Sequence, residues 1–508
     1  MTVLDHPAAA TAAPALPTDV QVCVVGAGFS GLSMAAALRR GAISDFVVLE
    51  KAADVGGTWR ENDYPGCACD VPSQVYSFSF APNPDWSRQF APQAEIQAYI
   101  KRVVRDEGLL PHIRLNTLVE GADWDDADQR WVVRTDAGTV RAQFLIGALG
   151  PLHVPKFPDL PGLERFTGTA FHSAEWDHAH DLAGRKVAVV GTGASAIQFI
   201  PAIAPHVGQL HVFQRTAPWI MPRLQRPFSA FERKLFRRVP LVQRTVRAIT
   251  FVILESLVFW FLDARRARVP EVLGRLHLRR QVKDPELRRK LTPTFRLGCK
   301  RMLLSNDYLP ALARPNVAVH TEGIREIRER SIVTHDGQEL EVDTIIYGTG
   351  FHVTDMPAAH LIRNGRGVSL AEDFEGSPHA HRATTFADFP NLAMLLGPNS
   401  GLGHNSVVLM AEAQAGYLVQ GIKAAQARGA GALVPRREAQ DAWTAALDKA
   451  AEPTVWIAGG CESWYLDSKG RASTLWPHSV IRFQRLMRRF DAENYTFVPA
   501  RERAGVAA

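Results

Sequence analysis

Cysteine is scarce in this chain and poorly arranged. Five residues, Cys23, Cys67, Cys69, Cys299 and Cys461, are scattered through 508 positions. An odd, sparse set argues against a disulfide framework. Cys67-Ala68-Cys69 is too tightly spaced for a zinc ribbon or a redox pair, and no second ligand pair accompanies it. The expectation is two buried thiols and no metal site. A long hydrophobic run is also missing. The most apolar stretch, Ile249 to Leu262, is shorter than the roughly 20 residues a spanning helix needs, and Glu255 interrupts it. Arg244 and Arg247 precede it and Arg265, Arg266 and Arg268 follow. It is therefore expected as a packed helix, with peripheral membrane contact through residues 249–262 as the alternative. The chain opens without a basic stretch followed by an apolar one. Its first 17 residues, rich in Ala and Pro, read as a flexible tail, and the expected compartment is the cytoplasm. The formal charge is only +6. No nucleic-acid-binding module is present, so no nucleic-acid partner is expected.

What is there describes a globular enzyme. With 46% hydrophobic and 22% charged residues, the chain is neither disordered nor fibrous, and its length suggests about three domains. Two glycine turns organise it. In the first, the apolar strand Val20 to Val25 runs into G-A-G-F-S-G at Gly26 to Gly31. An apolar-periodic helix to about Arg40 follows, then a strand, Phe46 to Leu49, ending at Glu50. This is the order a dinucleotide fingerprint requires. Gly26 permits the tight turn, Gly28 lets the backbone approach a pyrophosphate, and Gly31 lets helix and strand pack closely. Glu50 can accept hydrogen bonds from a ribose.

In the second, the strand Lys186 to Val190 leads into G-T-G-A-S-A at Gly191 to Ala196. The following strand, Leu210 to Phe213, ends in Gln214-Arg215-Thr216 rather than in an acid. An arginine attracts the 2′-phosphate that an acid repels, so this unit favours NADPH over NADH. Between about Pro222 and Thr294 the chain turns Arg-, Leu- and Phe-rich and loses strand alternation, which predicts a helical insertion. Strand character returns at Val317 to His320, Ile332 to Thr334 and Asp343 to Tyr347, and a helix is expected near Val407 to Ala427.

One string between the two units narrows the family. Phe166 to Asp177 reads F-T-G-T-A-F-H-S-A-E-W-D, and resembles the F-x-G-x-x-x-H-x-x-x-W-[P/D] fingerprint of Baeyer–Villiger monooxygenases at Phe166, Gly168, His172, Trp176 and Asp177. A second string, G-T-W-R-E-N-D-Y-P-G-C-A-C-D at Gly57 to Asp70, is similar to that family's G-x-W-x-x-x-x-[Y/F]-P-G-x-x-x-D. Lys300-Arg301 stands where the family has a Lys-Arg pair, although Met302-Leu303 follows where relatives often have proline. Ser463-Trp464 resembles a Ser-Trp pair on a loop that closes over NADP. Gly397 to His404 resembles a segment flanking the flavin.

The resemblance implies an α/β fold with two Rossmann-like domains, for FAD and NADP, and a helical insertion. The expected limits are 18–155 and 351–508 for the FAD domain, 156–222 and 296–350 for the NADP domain, and 223–295 for the insertion. It implies FAD contacts from Gly26, Gly28, Ser30, Gly31, Glu50, Gly57, Thr58, Trp59, Asp70 and Tyr76. NADP contacts would come from Gly191, Thr192, Gly193, Ser195, Ala196, Gln198, Arg215, Thr216, Lys300, Arg301 and Trp464. Arg301 is the implied catalytic cation and Asp70 its acidic partner, while His172 would support domain motion rather than proton transfer. The implied reaction uses NADPH and O2 to turn a ketone, expected to be apolar, into an ester or lactone through a flavin C4a-peroxide. A flavin monooxygenase acting on nitrogen, sulfur or alkyl groups shares both glycine units, as does an NADPH oxidase. Trp176 is the feature against the former.

Overall fold

The computed structural model describes residues 15–501. Most of the expected N-terminal tail falls outside them. Its last residues are held rather than loose: Ala15 accepts a hydrogen bond from Arg114 Nε at 2.8 Å, and Leu16 packs on a core cluster.

Two sheets form the body. The first has the order Ile362–Arg363, Val119–Asp125, Arg130–Thr135, Gly138–Gly147, Asp19–Val25, Phe46–Leu49 and Ile113–Arg114. Asp19–Val25 lies parallel to Phe46–Leu49 on one side and to Gly138–Gly147 on the other. The antiparallel strands Val119–Asp125 and Arg130–Thr135 extend one side of this sheet. Leu392–Met394 returns from the C-terminal part of the chain to pair in parallel with Gly138–Gly147. The second sheet is wholly parallel, in the order Val317–His320, Gln209–Phe213, Lys186–Val190, Thr344–Tyr347 and Thr169–His172. Its strands are apolar on both faces, as expected where both are covered. Ser331–Thr334 does not join it. That strand pairs with Ile324–Ile327 and Glu339–Glu341 in a small antiparallel sheet.

The insertion is helical throughout: Ala230–Arg238, Pro240–Ser256, Val258–Phe261, Arg268–Gln281 and Pro285–Lys290. A Ser229/Glu232 capping box starts the first helix, and Asp284 caps the last. The short parallel pair Ile220–Met221 and Leu303–Leu304 closes the insertion at its base.

One expectation fails. Cys299 and Cys461 form a disulfide across 162 residues of sequence. Spacing alone could not show this, because the fold brings two remote loops together. Cys23, Cys67 and Cys69 are buried free thiols, and burial pushes Cys23 and Cys67 up to about 12.

The two glycine turns repeat one conformation. Gly26 and Gly191 both have φ of +107°, which L side chains rarely adopt. A methyl on Gly26 would meet the Ala148 carbonyl oxygen at 2.6 Å, and one on Gly31 would overlap the Gly26 carbonyl oxygen. Gly31→Ala should therefore destabilise the fold by about 1–3 kcal/mol. Gly416→Ala should stabilise it by about 0.5–1 kcal/mol, since Gly416 lies inside the helix Val407–Ala427 with open space at its Cβ position. Thermal unfolding of both variants checks this. Equal midpoints for the two would contradict the packing described.

Candidate functional site

Asp70 lies at the end of the loop that follows the short helix Thr58–Glu61, and Arg301 lies at the base of the insertion. The guanidinium grips the carboxylate with two hydrogen bonds, Nε to Oδ2 at 2.6 Å and Nη2 to Oδ1 at 2.7 Å. The Arg301 and Asp70 side chains remain 29% and 26% exposed, so the pair is packed on most sides and still partly accessible. Burial pushes the Asp70 carboxyl up. The charge and hydrogen bonds of Arg301, with the charge of Arg223, more than offset this and leave it below its ordinary value. Asp70 in turn raises Arg301, so both are ionised across the working range of an enzyme.

Two residues beside this pair escaped the sequence reading. Arg223 donates to the Cys69 carbonyl at 3.0 Å and stands over the Phe90 ring at 5.0 Å. It helps line a cavity of about 380 Å³ with Tyr64, Cys67 and Arg88. Tyr465 is 1% exposed. Burial holds its phenol above the ordinary value, although the Arg301 charge pulls it down. Trp464, singled out in the sequence, is less deeply placed. It is 41% exposed and its ring contacts Tyr465 at 4.4 Å. The only signal for Tyr465 was adjacency to Trp464. Arg223 carried none, because an arginine in an Arg-rich segment is indistinguishable from its neighbours.

The Cys299–Cys461 bond ties the loop bearing Lys300 and Arg301 to the loop bearing Trp464 and Tyr465. Lys300 Nζ donates to Thr216 Oγ1 at 3.3 Å. Burial and the nearby Arg215 charge both push Lys300 below its ordinary value. Two separated stretches, one with Arg215 and Thr216 and one with Lys300, thus converge in a cationic patch at the end of Gln209–Phe213. Such a patch suits a phosphate monoester.

The first glycine turn has the features of a dinucleotide cradle. Gly28 and Gly57 face each other so closely that a Cβ on Gly28 would lie 3.5 Å from Gly57 Cα, and Gly57 has φ of +54°. Glycine on both segments keeps side chains out of this close approach, as a backbone site for a pyrophosphate requires. Ser30 is buried at the start of the helix Phe29–Arg40. Glu50 is 6% exposed and accepts from Ala27 N at 2.8 Å and Ala52 N at 3.0 Å. Each oxygen retains a further lone pair for a ribose hydroxyl. Trp59 Nε1 donates to the Tyr76 hydroxyl at 3.0 Å, which joins two of the expected flavin neighbours. Gln198 spends its amide on the same loop rather than standing free. It accepts from Ala68 N at 3.1 Å and Tyr64 Oη at 3.2 Å, and donates to Ala68 O at 2.9 Å. It therefore fastens the second unit to the segment that ends in Asp70. The Gly397 to His404 turn is laced to a neighbouring strand segment: Asn399 donates to Ser473, Ala472 and Leu475 carbonyls.

The contacts of the fingerprint string are mainly packing contacts. A Cβ on Gly168 would run into the Phe166 ring at 2.6 Å. Trp176 packs on Phe171 and on Phe199 of the helix Ala196–Ile203. Asp177 accepts from Ala179 N at 3.0 Å in a turn. His172 is fully buried between Phe157 and Phe351, at 5.5 and 5.6 Å. Its Nδ1 accepts from Ala174 N at 3.1 Å. Burial pushes it down to about 4, so it is neutral near pH 7. Phe157 and Phe351 belong to the two segments that connect the sheets, which puts His172 at the junction.

Comparison with known proteins gives the family. The model of the family described as flavin-binding monooxygenase-like matches residues 19–358. A Baeyer–Villiger monooxygenase of Streptomyces coelicolor is 47% identical over 492 residues, covering 96% of this chain and 95% of its own. The crystal structure of cyclohexanone monooxygenase from Rhodococcus sp. Phi1 bound to NADP+ superposes with a TM-score of 0.85 at 28% identity, over 96% of this chain and 100% of that one. The crystal structure of OTEMO in complex with FAD and NADP superposes with a TM-score of 0.85 at 25% identity, over 94% and 99%. The chain belongs to the flavin-binding monooxygenases and, among them, to the Baeyer–Villiger monooxygenases.

Proposed function

We propose that this protein uses NADPH and O2 to place one oxygen atom beside the carbonyl of an apolar ketone, giving an ester or lactone. The observation that carries this reading is the Arg301 guanidinium, fixed by Asp70 through two hydrogen bonds and still partly exposed. FAD, when bound, accepts hydride from NADPH and activates O2.

The chain's own residues supply binding, orientation and charge. The groove between Gly26, Gly28 and Gly57 would take the FAD pyrophosphate, with Ser30 and Gly31 at the adjoining helix start, Thr58 beyond it and Glu50 on the ribose. Trp59 and Tyr76 would flank the ring system. Gly191, Thr192, Gly193, Ser195 and Ala196 form the corresponding turn for NADP, and Arg215, Thr216 and Lys300 would hold its 2′-phosphate. In this reading residues 18–155 and 351–508 make up the FAD domain, 156–222 and 296–350 the NADP domain, and 223–295 the insertion.

Negative charge grows on oxygen as the carbonyl is attacked. A cation already held in place stabilises that charge without reorganising. Asp70 keeps the Arg301 fork aligned and Tyr465 closes one side of it. Met302 and Leu304, next along the chain, are partly buried and apolar, which suits a ketone with apolar substituents. His172 is buried, neutral and packed between the two segments that connect the sheets, which supports a role in the linker rather than in proton transfer.

Arg301→Ala should retain FAD and still oxidise NADPH, while ester formation falls by at least about 100-fold. Product analysis by mass checks this, and ester at the wild-type rate would refute the role given to Arg301. Arg215→Ala should raise the KM for NADPH by roughly tenfold or more and leave the KM for NADH nearly unchanged. Equal losses with the two nucleotides would remove the phosphate assignment.

A further inference from the structure

The helix Pro240–Ser256 buries polar side chains and leaves apolar ones in water. Beside the packed Val242, Val246, Phe251 and Leu254, its inner face holds three polar groups. Gln243 donates to Gln74 Oε1 at 3.1 Å and to the Asn83 carbonyl at 2.7 Å. Arg247 donates to the Gln74 carbonyl at 2.6 Å and to Ser77 Oγ at 3.0 Å. Glu255 accepts from Asn405 Nδ2 at 3.2 Å and from Ile481 N at 3.1 Å, with His404 Nε2 at 3.3 Å. Its outer face carries Leu241, Ile249, Val252 and Ile253, each more than half exposed. At about 100° per residue they fall within about a third of the helix circumference and so form one stripe, which Phe259, also more than half exposed, continues past the helix end.

The helix Arg268–Gln281 repeats the pattern. Its inner face buries Glu271, Gly274, His277 and Leu278. Its outer face carries Val269, Val272, Leu273 and Leu276, between 42% and 66% exposed, with Arg268, Arg275 and Arg279 along one edge. Arg266 stacks on Phe259 at 4.1 Å and so links the two stripes. Single exposed apolar side chains are ordinary, but stripes repeated on successive helices mark an interaction surface.

Charge decides what it meets. Residues 223–295 hold 18 of the 58 Lys and Arg but only 6 of the 52 Asp and Glu, a formal charge of +12 against +6 for the whole chain. The remainder of the molecule is therefore net negative. Two copies meeting through this segment would bring like charges together. An anionic lipid surface would attract it, and it would accept the aliphatic and aromatic stripes without needing a shaped pocket. Among the described residues no helix is long and apolar enough to cross a membrane, so contact is with the surface.

We propose that the outer faces of Pro240–Ser256 and Arg268–Gln281, with Phe259 between them, are a docking surface for an anionic phospholipid membrane. The test is flotation of the purified FAD-loaded enzyme with two kinds of vesicle: phosphatidylcholine alone, and phosphatidylcholine with roughly a third phosphatidylserine. The enzyme should float with the phosphatidylserine vesicles only, and less so as salt rises. The triple variant Ile253→Ser, Phe259→Ser, Leu273→Ser should lower the ratio of bound to free protein by roughly tenfold or more. Its circular dichroism and its NADPH oxidation without vesicles should be unchanged. Arg268→Glu with Arg279→Glu should lose the preference for phosphatidylserine, and this second variant serves if the first does not fold. Three results would overturn the proposal: no flotation of the wild type at low salt, equal flotation of wild type and both variants, or a self-associated wild type that the triple variant turns monomeric without any vesicle binding.

Discussion

Asp70 and Arg301 are 231 residues apart in sequence, on segments that fold into different parts of the molecule, and they meet in a bidentate ion pair. Neither group would be stable alone where it sits. Removing one partner from such a pair leaves an uncompensated charge in a partly dry site. The pair therefore holds the loop from Thr58 to Asp70 against the base of the helical insertion, and through it fixes the direction of the guanidinium. The same contact serves the fold and the chemistry, because a cation can stabilise a transient negative charge only if it is aimed beforehand.

Other contacts converge on the same two segments. Gln198 clamps the second glycine unit to Ala68, two residues before Asp70. Arg223 holds the Cys69 carbonyl. On the other side, the Cys299–Cys461 bond anchors the residue pair Lys300-Arg301 to the loop carrying Tyr465. Glu255 then ties the insertion to Asn405 and Ile481 in the C-terminal part of the chain. The insertion is thus held by polar groups from several segments as well as by its packed apolar side chains, while a second set of apolar side chains on its helices stays exposed.

Much of the fold was legible because local chemistry dictated it. Gly26 and Gly191 occupy a φ that only glycine accepts freely, and each stands between a strand and a helix as read. The strands Phe46–Leu49 and Lys186–Val190 and the helix Val407–Ala427 fall at the expected residues. What could not be read depended on long-range meetings. The disulfide required knowing that positions 299 and 461 share one cluster. Arg223 and Tyr465 gained meaning only from the Asp70–Arg301 pair beside them. The run from Ile249 to Leu262 was expected to pack. Its hydrophobicity was correctly seen, but which side would face the protein was hidden until Gln243, Arg247 and Glu255 were found bonded inward.

The central claim is that Asp70 and Arg301 act as one unit, the carboxylate aiming the guanidinium. The direct test is a double-mutant cycle read as ester formed per NADPH consumed, using Asp70→Ala, Arg301→Ala and the combination in FAD-loaded enzyme. The account predicts that each single change collapses this ratio and that the combined change is hardly worse than Arg301→Ala alone. Losses that simply multiply, or an Asp70→Ala enzyme that keeps the wild-type ratio, would contradict it.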